Sequence, residues 1–206
     1  MKTLNEWNEL LDDKPCEYDE ILQEVDNLKS KIFELEDRES DLSDEIDDIK
    51  IHIKSIEYGD FGYYLLKLQN KCVKYFQGYT EIDGKYIICN GYILLSLNEK
   101  PPLLKKNENH RVNSDKYHEF MNFKAENTYK AGSIDEYMAI DEKSIKIGKA
   151  RINIDFAKAV WEILRVNENS VVKDYIYRCR GDKAYSIYVE SERGCAIILG
   201  MTHNGS

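Results

Sequence analysis

An apolar repeat of seven residues near the start of the chain constrains its fold most. Apolar side chains recur at every seventh position from Ile21 to Ile56, and a second series follows four residues after each of the first five. With the first series as d and the second as a, this spacing predicts a five-heptad coiled coil. β-Branched residues at four of the five a positions favour a two-stranded parallel coil. The predicted dimer interface comprises Ile21, Val25, Leu28, Ile32, Leu35, Leu42, Ile46, Ile49, Ile53 and Ile56.

The charges beside this repeat provide an independent test of pairing. In a parallel dimer each g residue faces the e residue five positions later on the partner helix. Three of the five pairs are opposite in charge and none is repulsive at neutral pH, namely Glu24–Lys29, Lys31–Glu36, Arg38–Ser43, Glu45–Lys50 and His52–Glu57. Glu39 occupies a core position, where two carboxylates would face each other. The alternative interpretation is a long helix that packs on the body of its own chain.

The charge of the chain is unevenly distributed. Residues 1–58 hold 19 acidic and 7 basic side chains, a net charge of −12, whereas residues 59–206 hold 19 acidic and 22 basic ones, a net charge of +3. Pro15 interrupts the helical pattern and predicts a separate short helix over residues 1–14. We therefore divide the chain into that helix, an acidic coiled coil over 17–58 and a domain over 59–206.

Composition restricts where such a chain functions. No apolar stretch approaches the ~20 residues of a membrane span, and the acidic N-terminus lacks the apolar core of a signal peptide. The five cysteines form no Cys-x-x-Cys pair. We therefore expect a cytoplasmic protein with reduced thiols rather than a secreted, membrane or zinc-ribbon protein.

The remainder of the chain predicts an α+β domain with antiparallel sheets. A helix follows Gly59, and Asn90-Gly91 between two apolar runs predicts a hairpin. A second helix starts after the N-cap residue Asn153, and a polar loop covers residues 105–113. The predicted strands cover residues 73–80, 86–89, 92–97, 120–123, 134–140, 143–148, 171–180, 184–190 and 196–201.

Three short segments of this domain resemble a known family. Residues 75–78 and 86–94 look like a domain of the bacterial sliding clamp (DNA polymerase III beta subunit) and its phage-encoded single-domain relatives. Residues 152–156 are similar to a helix entry of that family, and residues 196–201 to its terminal strand. Asn90 and Ile93 stand where the family has Asp and Arg, and Gly200 and Thr202 where it has Pro and Arg.

The resemblance implies a DNA clamp-like fold in which two helices face DNA. A closed ring contains several such domains, whereas this chain has one and a dimer would have two. We therefore expect the fold of the family rather than a processivity ring.

Motifs of catalysis are missing from the sequence. It contains no phosphate loop, no His-x-x-x-His or Cys-x-x-Cys metal spacing and no Gly-x-Ser-x-Gly turn. A metal site at His110, His118, Asp115 and Glu119 is conceivable, but solvated loop histidines are the simpler interpretation. We expect a protein that is not an enzyme and has no cofactor and no metal.

Basic side chains provide the candidate binding site. Lys67, Lys71 and Lys74 recur at helical spacing, and the resemblance would place them with Lys158 and Arg165 on a surface that faces DNA. Arg178 and Arg180 share one strand face as a second patch. An ordinary solvated helix face is the alternative. The tyrosines at 175, 177, 185 and 188 predict either a protein interface or half-buried strand residues.

These observations predict a dimeric binding protein of phage or mobile-element type that acts on DNA or on a DNA-processing complex. The alternative is an inhibitor of a host-defence nuclease of the anti-CRISPR type, which would act by docking or by charge mimicry. A purely structural dimerisation module is a third possibility. The expected partners are a second copy of the chain and either DNA or a nuclease or replication protein.

Overall fold

The seven-residue repeat lies, as far as Ile53, on one continuous helix, α1 (Glu17–Ser55), which contains neither proline nor glycine. At about 1.5 Å per residue, a helix of 39 residues is roughly 58 Å long. The computed structural model describes residues 17–70, 72–179 and 182–201, and for residues 17–20, 178–179 and 182–183 it describes the backbone alone. The predicted helix over residues 1–14 lies outside these ranges.

The chain divides into two compact units, of which the first ends at Lys50 and the second begins at Ile51. The sequence pattern places this boundary at Tyr58 instead. The boundary lies earlier in the structure because Ile51 and Ser55, which occupy neither a nor d positions, are buried in the second unit. The helix also ends earlier than predicted, and Ile56 lies in a 3-10 turn, Ile56–Tyr58.

Helices and strands then alternate through the second unit. After α2 (Gly59–Gln69) come four further helical segments in the described residues, the 3-10 turn Lys74–Phe76, α3 (Ser114–Met121), the 3-10 turn Ile134–Glu136 and α4 (Ile154–Leu164). The strands are β1 (Thr80–Ile82), β2 (Lys85–Cys89), β3 (Ile93–Leu97), β4 (Asn127–Lys130), β5 (Met138–Asp141), β6 (Ser144–Ile147), β7 (Ala150–Asn153), β8 (Val171–Cys179), β9 (Asp182–Ser191) and β10 (Gly194–Ile198).

The strands form two antiparallel sheets. Seven strands pair in the order β1-β2-β3-β10-β9-β8-β4, and three pair in the order β5-β6-β7. At the centre of the large sheet, Ala196 of β10 pairs with Leu95 on one side and Val189 on the other. This arrangement confirms the predicted α+β class, a long N-terminal helix followed by antiparallel sheets.

Two apolar clusters cover opposite faces of the large sheet. Ile93, Leu95 and Leu97 of β3 point to a cluster shared with α2, α4 and the small sheet. Leu94, between them, points to a second cluster that includes Tyr117 of α3. Because successive side chains of a strand point to opposite faces, an apolar run such as residues 93–95 of β3 is typical of a strand covered on both sides.

Three predictions of local structure are wrong. The strand predicted over residues 73–80 is a 3-10 turn followed by the short β1, and the strand predicted over 120–123 lies at the end of α3. Residues 134–136 of the strand predicted over 134–140 form a 3-10 turn before β5. The helix α3 was missed because it is short and polar, although Asn113 caps it by accepting a hydrogen bond from the Lys116 N–H at 3.0 Å.

A buried carboxylate joins β4, β8 and the turn before β7. Asp174 is completely buried and accepts hydrogen bonds from the N–H and side-chain amide of Asn127, from the Tyr129 hydroxyl and from the Lys149 N–H, at 2.9–3.2 Å. Burial raises the pKa of this carboxyl, but the hydrogen bonds outweigh burial and the net pKa is lowered. Asp174 is therefore ionised and has its acceptor positions filled.

No helix in the described ranges combines the length and the apolar character needed to cross a membrane.

Candidate functional site

A groove of about 1210 Å³ lies in the second unit, between α2, α4, α3 and the turn that joins β2 to β3. Helices α2 and α4 form one wall because they pack against each other. Leu65 and Leu68 of α2 join Val160 and Leu164 of α4 in the first apolar cluster, which leaves the polar residues of both helices at the surface. The helices position the site through their buried residues.

Four exposed cations from four different segments surround this groove. They are Lys67 of α2, Lys158 of α4, Lys116 of α3 and Arg111 of the preceding loop, and two carboxylates, Glu119 and Asp155, line the same groove. The Lys67 ammonium group donates a hydrogen bond to the Tyr63 hydroxyl at 3.1 Å. The groove therefore carries an excess of positive charge in a chain with a net charge of −9.

Arg111 is positioned by two aromatic rings. Its guanidinium carbon lies 5.3 Å from the ring centre of Tyr75 and 5.8 Å from that of Phe76. The backbone N–H of Arg111 donates to the Tyr75 carbonyl at 2.8 Å. Cation–π contact of this kind orients a guanidinium plane and leaves its N–H donors available at the edge.

The loop that leads to Arg111 is tied to the 3-10 turn before β1. The Asn107 side chain donates to the carbonyls of Lys74 and Gln77, at 3.1 and 2.7 Å. Gly78 has a φ of +79°, and a Cβ there would collide with the Lys105 carbonyl, so this close approach requires glycine. These contacts bring a distant loop to the groove.

An exposed tyrosine stands at the tip of the β2–β3 turn. The Asn90 side chain accepts hydrogen bonds from the N–H groups of Tyr92 and Ile93, at 2.9 and 2.8 Å, and Gly91 has a φ of +96°. Tyr92 is 62% exposed, and its ring stacks on Phe156 with 5.8 Å between ring centres and 27° between planes. A rigid turn therefore presents one aromatic side chain toward solvent.

Asn153 places Phe156 behind that ring. As predicted, it is the N-cap of α4, and its side chain accepts hydrogen bonds from the N–H groups of Asp155 and Phe156 at 2.9 and 3.2 Å. The first turn of α4 thus brings one carboxylate and one aromatic ring to the edge of the groove.

Two thiols in the groove are poor nucleophiles. Burial raises the pKa of Cys72, and it raises the pKa of Cys89 to about 11. Both are therefore protonated at neutral pH, and the thiol is far less reactive than the thiolate. Within the described ranges, no three His, Cys, Asp or Glu side chains are grouped so that they could hold a metal ion.

The two candidate histidines differ in burial and in their partners. His118 lies 3.1 Å from the Asp83 carboxylate at the surface. His110 is buried, its Nδ1 accepts the Val112 N–H at 3.2 Å, and burial lowers the pKa of its ring. These two contacts involve neither Asp115 nor Glu119, the carboxylates of the conceivable metal site.

Of the candidate DNA-binding residues, Lys67, Lys74, Lys158 and Arg165 do not share the one surface that the spacing and the resemblance predict. Lys67 and Lys158 share the groove. The predicted stripe along one helix is wrong because α2 ends at Gln69 and Asn70 is extended, so that Lys74 belongs to a separate 3-10 turn. Arg165 lies at the far end of α4, beside a different cavity of about 440 Å³. Lys71, Arg180 and the side chain of Arg178 lie outside the described part of the chain.

Sequence reasoning missed Arg111, Lys116 and Tyr92 as site residues. Tyr92 follows the recognised Asn-Gly turn, so the turn signal could have indicated an exposed side chain there. Arg111 and Lys116 carry no local signal, because only the packing of the loop and α3 brings them to the groove.

The tyrosines predicted for either an interface or the sheet belong mainly to the sheet. Tyr175 and Tyr188 are buried in the second cluster. The Phe123 ring packs against both, with 4.6 and 5.0 Å between ring centres. Tyr177 packs partly against the same cluster and Tyr185 against the first.

The apolar row of α1 is exposed over its whole length. The described residues of the predicted dimer interface have between 39% and 70% of their surface exposed. In the first unit, residues 21–50 bury no apolar side chain. This row could be covered by another helix of the same period.

Comparison of the chain with protein-family models, with curated proteins and with solved structures gives no match. The sliding-clamp resemblance therefore stays a prediction from the sequence. The groove of the second unit and the exposed row of α1 are the features that bear on function.

Proposed function

We propose that this protein is a non-enzymatic, homodimeric nucleic-acid-binding protein. In this proposal α1 pairs with a second copy in a parallel coiled coil, and the groove of each second unit binds a phosphodiester backbone. One observation carries the proposal: Lys67, Arg111, Lys116 and Lys158, from four separate segments, surround a single groove whose walls include aromatic rings.

The charge of the groove matches a polyanion. Phosphate contacts require only positive side chains at suitable positions, and they do not require base reading. The acidic first unit opposes non-specific attraction to nucleic acid, so binding depends on local charge rather than on the net charge of the chain. The pairing of α2 with α4 also supports the clamp-like part of the proposal, in which two adjacent helices face DNA.

The dimer rests on the exposed row of α1. Apolar side chains that recur every seven residues become buried when two such helices pair, and β-branched a positions favour two strands. The three opposite-charge pairs between g and e positions favour the parallel orientation. A dimer would also hold two grooves on one particle, which raises avidity for a long nucleic acid.

A salt titration tests the proposal. The protein is titrated into a fluorescently labelled DNA duplex and anisotropy is followed at about 50 and 200 mM salt, a range over which several phosphate contacts weaken steeply. We expect binding that falls with salt. The variant Lys67→Glu/Lys116→Glu/Lys158→Glu should bind at least about tenfold more weakly and reduce the salt slope by roughly 3.

The matched control makes the same three Lys→Glu changes outside the groove. Lys130, Lys143 and Lys146 are exposed and do not line the groove. The variant Lys130→Glu/Lys143→Glu/Lys146→Glu should retain most of the affinity. Equal losses in the two triple variants would contradict a role for the groove, and no binding at low salt would overturn the proposal.

A second function, inhibition of a host-defence nuclease by charge mimicry, is favoured by the exposed acids of α1. Residues Glu34, Asp37, Asp41 and Asp48 lie at c and f positions, away from the predicted dimer seam. Neutralising them to amides should relieve inhibition of an RNA-guided nuclease in a cleavage assay while the dimer stays intact. Full cleavage in the presence of the unmodified protein would exclude this function for the nuclease tested.

A further inference from the structure

We infer that the groove prefers single-stranded nucleic acid and that Tyr92 is the side chain on which an unpaired base stacks. This inference rests on the proposed function, because it names the class of nucleic acid that the same groove binds. Its basis is the position and support of the Tyr92 ring.

The Tyr92 ring is held in place by Phe156 and by the turn that carries it. Phe156 stacks on one side of it, and the two hydrogen bonds to the Asn90 side chain fix the backbone of the turn. An aromatic ring on a rigid turn loses little conformational freedom when it stacks on a ligand. With 62% of its surface exposed, Tyr92 is ready to accept a second flat partner.

The neighbouring charges would hold the backbone of such a ligand. Lys67 and Lys158 line the same groove as Tyr92, on the two helices beside the turn. Binding sites for single strands combine a basic groove that follows the phosphates with aromatic side chains that take up the bases. In a duplex the faces of the bases are occupied by their neighbours, so that Tyr92 would find no partner there.

Stacking also explains the chemistry of the site better than base reading does. Tyr92 offers an exposed flat surface, and Tyr63, Tyr64, Phe76, Phe120 and Phe156 also line the groove. Since every base has a π face, such recognition tolerates any sequence. We therefore expect affinity for single strands without strong sequence preference.

Three proteins and two labelled ligands test the inference by anisotropy. The ligands are a thymidine homopolymer, which cannot pair with itself, and a duplex of equal length. The unmodified protein should bind the single strand at least about fivefold more tightly than the duplex, since stacking contributes roughly 1–3 kcal/mol per base. Tyr92→Ala should remove most of that advantage and leave duplex binding within twofold, whereas Tyr92→Phe should retain it.

Phe33→Ala is the matched control. Phe33 is equally exposed, at 66%, but it lies at a b position of α1 and outside the groove. Its substitution should change neither affinity. Far-UV circular dichroism of Tyr92→Ala establishes that a loss of binding is not a loss of folding.

The outcomes separate the two proposals. Equal affinity for the two ligands, or equal weakening of both by Tyr92→Ala, would overturn the single-strand inference and leave the groove as a general nucleic-acid site. Binding of neither ligand would overturn the proposed function itself, and Tyr92 would then be a candidate anchor for a protein partner.

Discussion

In the unit that ends at Lys50, isoleucines such as Ile32 and Ile49 expose more than half of their surface, whereas in the unit that begins at Ile51, Ile187 and Ile198 are completely buried. The same residue type therefore has two environments in one chain. The second unit has two sheets and three helices among which to bury apolar surface, but residues 21–50 form a single helix. A lone amphipathic helix can cover its apolar row only with another molecule or segment.

The stability of the two units should therefore depend differently on protein concentration. Stability that comes from burial within one chain does not depend on protein concentration, whereas stability that comes from pairing of two chains does. If α1 forms a dimer, its unfolding will shift with concentration and that of the second unit will not. Substitutions in the two regions can separate these cases.

The largest effect is expected from a charge in the predicted dimer seam. Leu42→Asp would place two carboxylates opposite each other at a d position, where an apolar pair is expected. We expect the dissociation constant of the dimer to rise at least about 100-fold, which equals roughly 2.7 kcal/mol. Sedimentation equilibrium measures the change. Phe33→Asp, at an exposed b position, is the control, and equal effects of both variants would contradict the predicted seam.

The next effect compares the same substitution in the two units. Ile198→Ala should lower the free energy of unfolding of the second unit by about 2–5 kcal/mol, because it removes a buried side chain and leaves a cavity. Ile49→Ala should leave that unit unchanged and weaken the dimer. Urea unfolding followed by the fluorescence of Trp161, in a Trp7→Phe background, reports the second unit alone. A loss of second-unit stability in Ile49→Ala would show that α1 packs on its own chain.

A smaller effect is expected at the buried carboxylate of the second unit. Asp174→Asn would replace an acceptor by a donor that faces other donors, and it should cost about 1–3 kcal/mol at pH 7. Because the pKa of Asp174 is lowered in the folded state, its contribution is complete above the unfolded pKa of about 3.9 and is lost as the pH falls through the folded value. The difference in free energy of unfolding between the unmodified protein and Asp174→Asn should therefore decrease in acid. A constant difference from pH 7 to pH 3 in urea unfolding would argue against an ionised Asp174.

The smallest effect concerns the charges beside the seam. Lys29→Glu with Lys50→Glu would make two g–e pairs repulsive, and exposed pairs contribute less than about 1 kcal/mol each. The double variant also removes the contacts of these lysines with Asp26 and Asp47 on the same helix, at 3.0 and 3.2 Å. We expect a modest weakening of the dimer that diminishes at high salt and is reversed by adding Glu24→Lys and Glu45→Lys. No rescue by the second pair of substitutions would contradict the parallel pairing.

Prediction from sequence succeeded where a local pattern suffices. The seven-residue repeat predicted α1, Asn90-Gly91 predicted the β2–β3 hairpin, and Asn153 predicted the start of α4. Each of these signals lies within a few residues of the element that it specifies. Prediction failed at residues 73–80 and 120–123, whose aromatic residues are typical of strands. The first segment contains a 3-10 turn held by the Asn107 side chain, and the second lies at the end of α3.

By itself, the sequence of this protein determined the helical period, the uneven charge and the α+β class, because these follow from the order of neighbouring residues. Only the tertiary structure decided that Arg111 and Lys158 line one groove and that Lys74 lies on a separate turn from Lys67. It also decided that Asp174 is buried and hydrogen-bonded to residues far from it in the chain. Groups far apart in the chain meet through the packing of sheets and helices. The register of that packing is a collective result of many weak contacts, and no short segment encodes it.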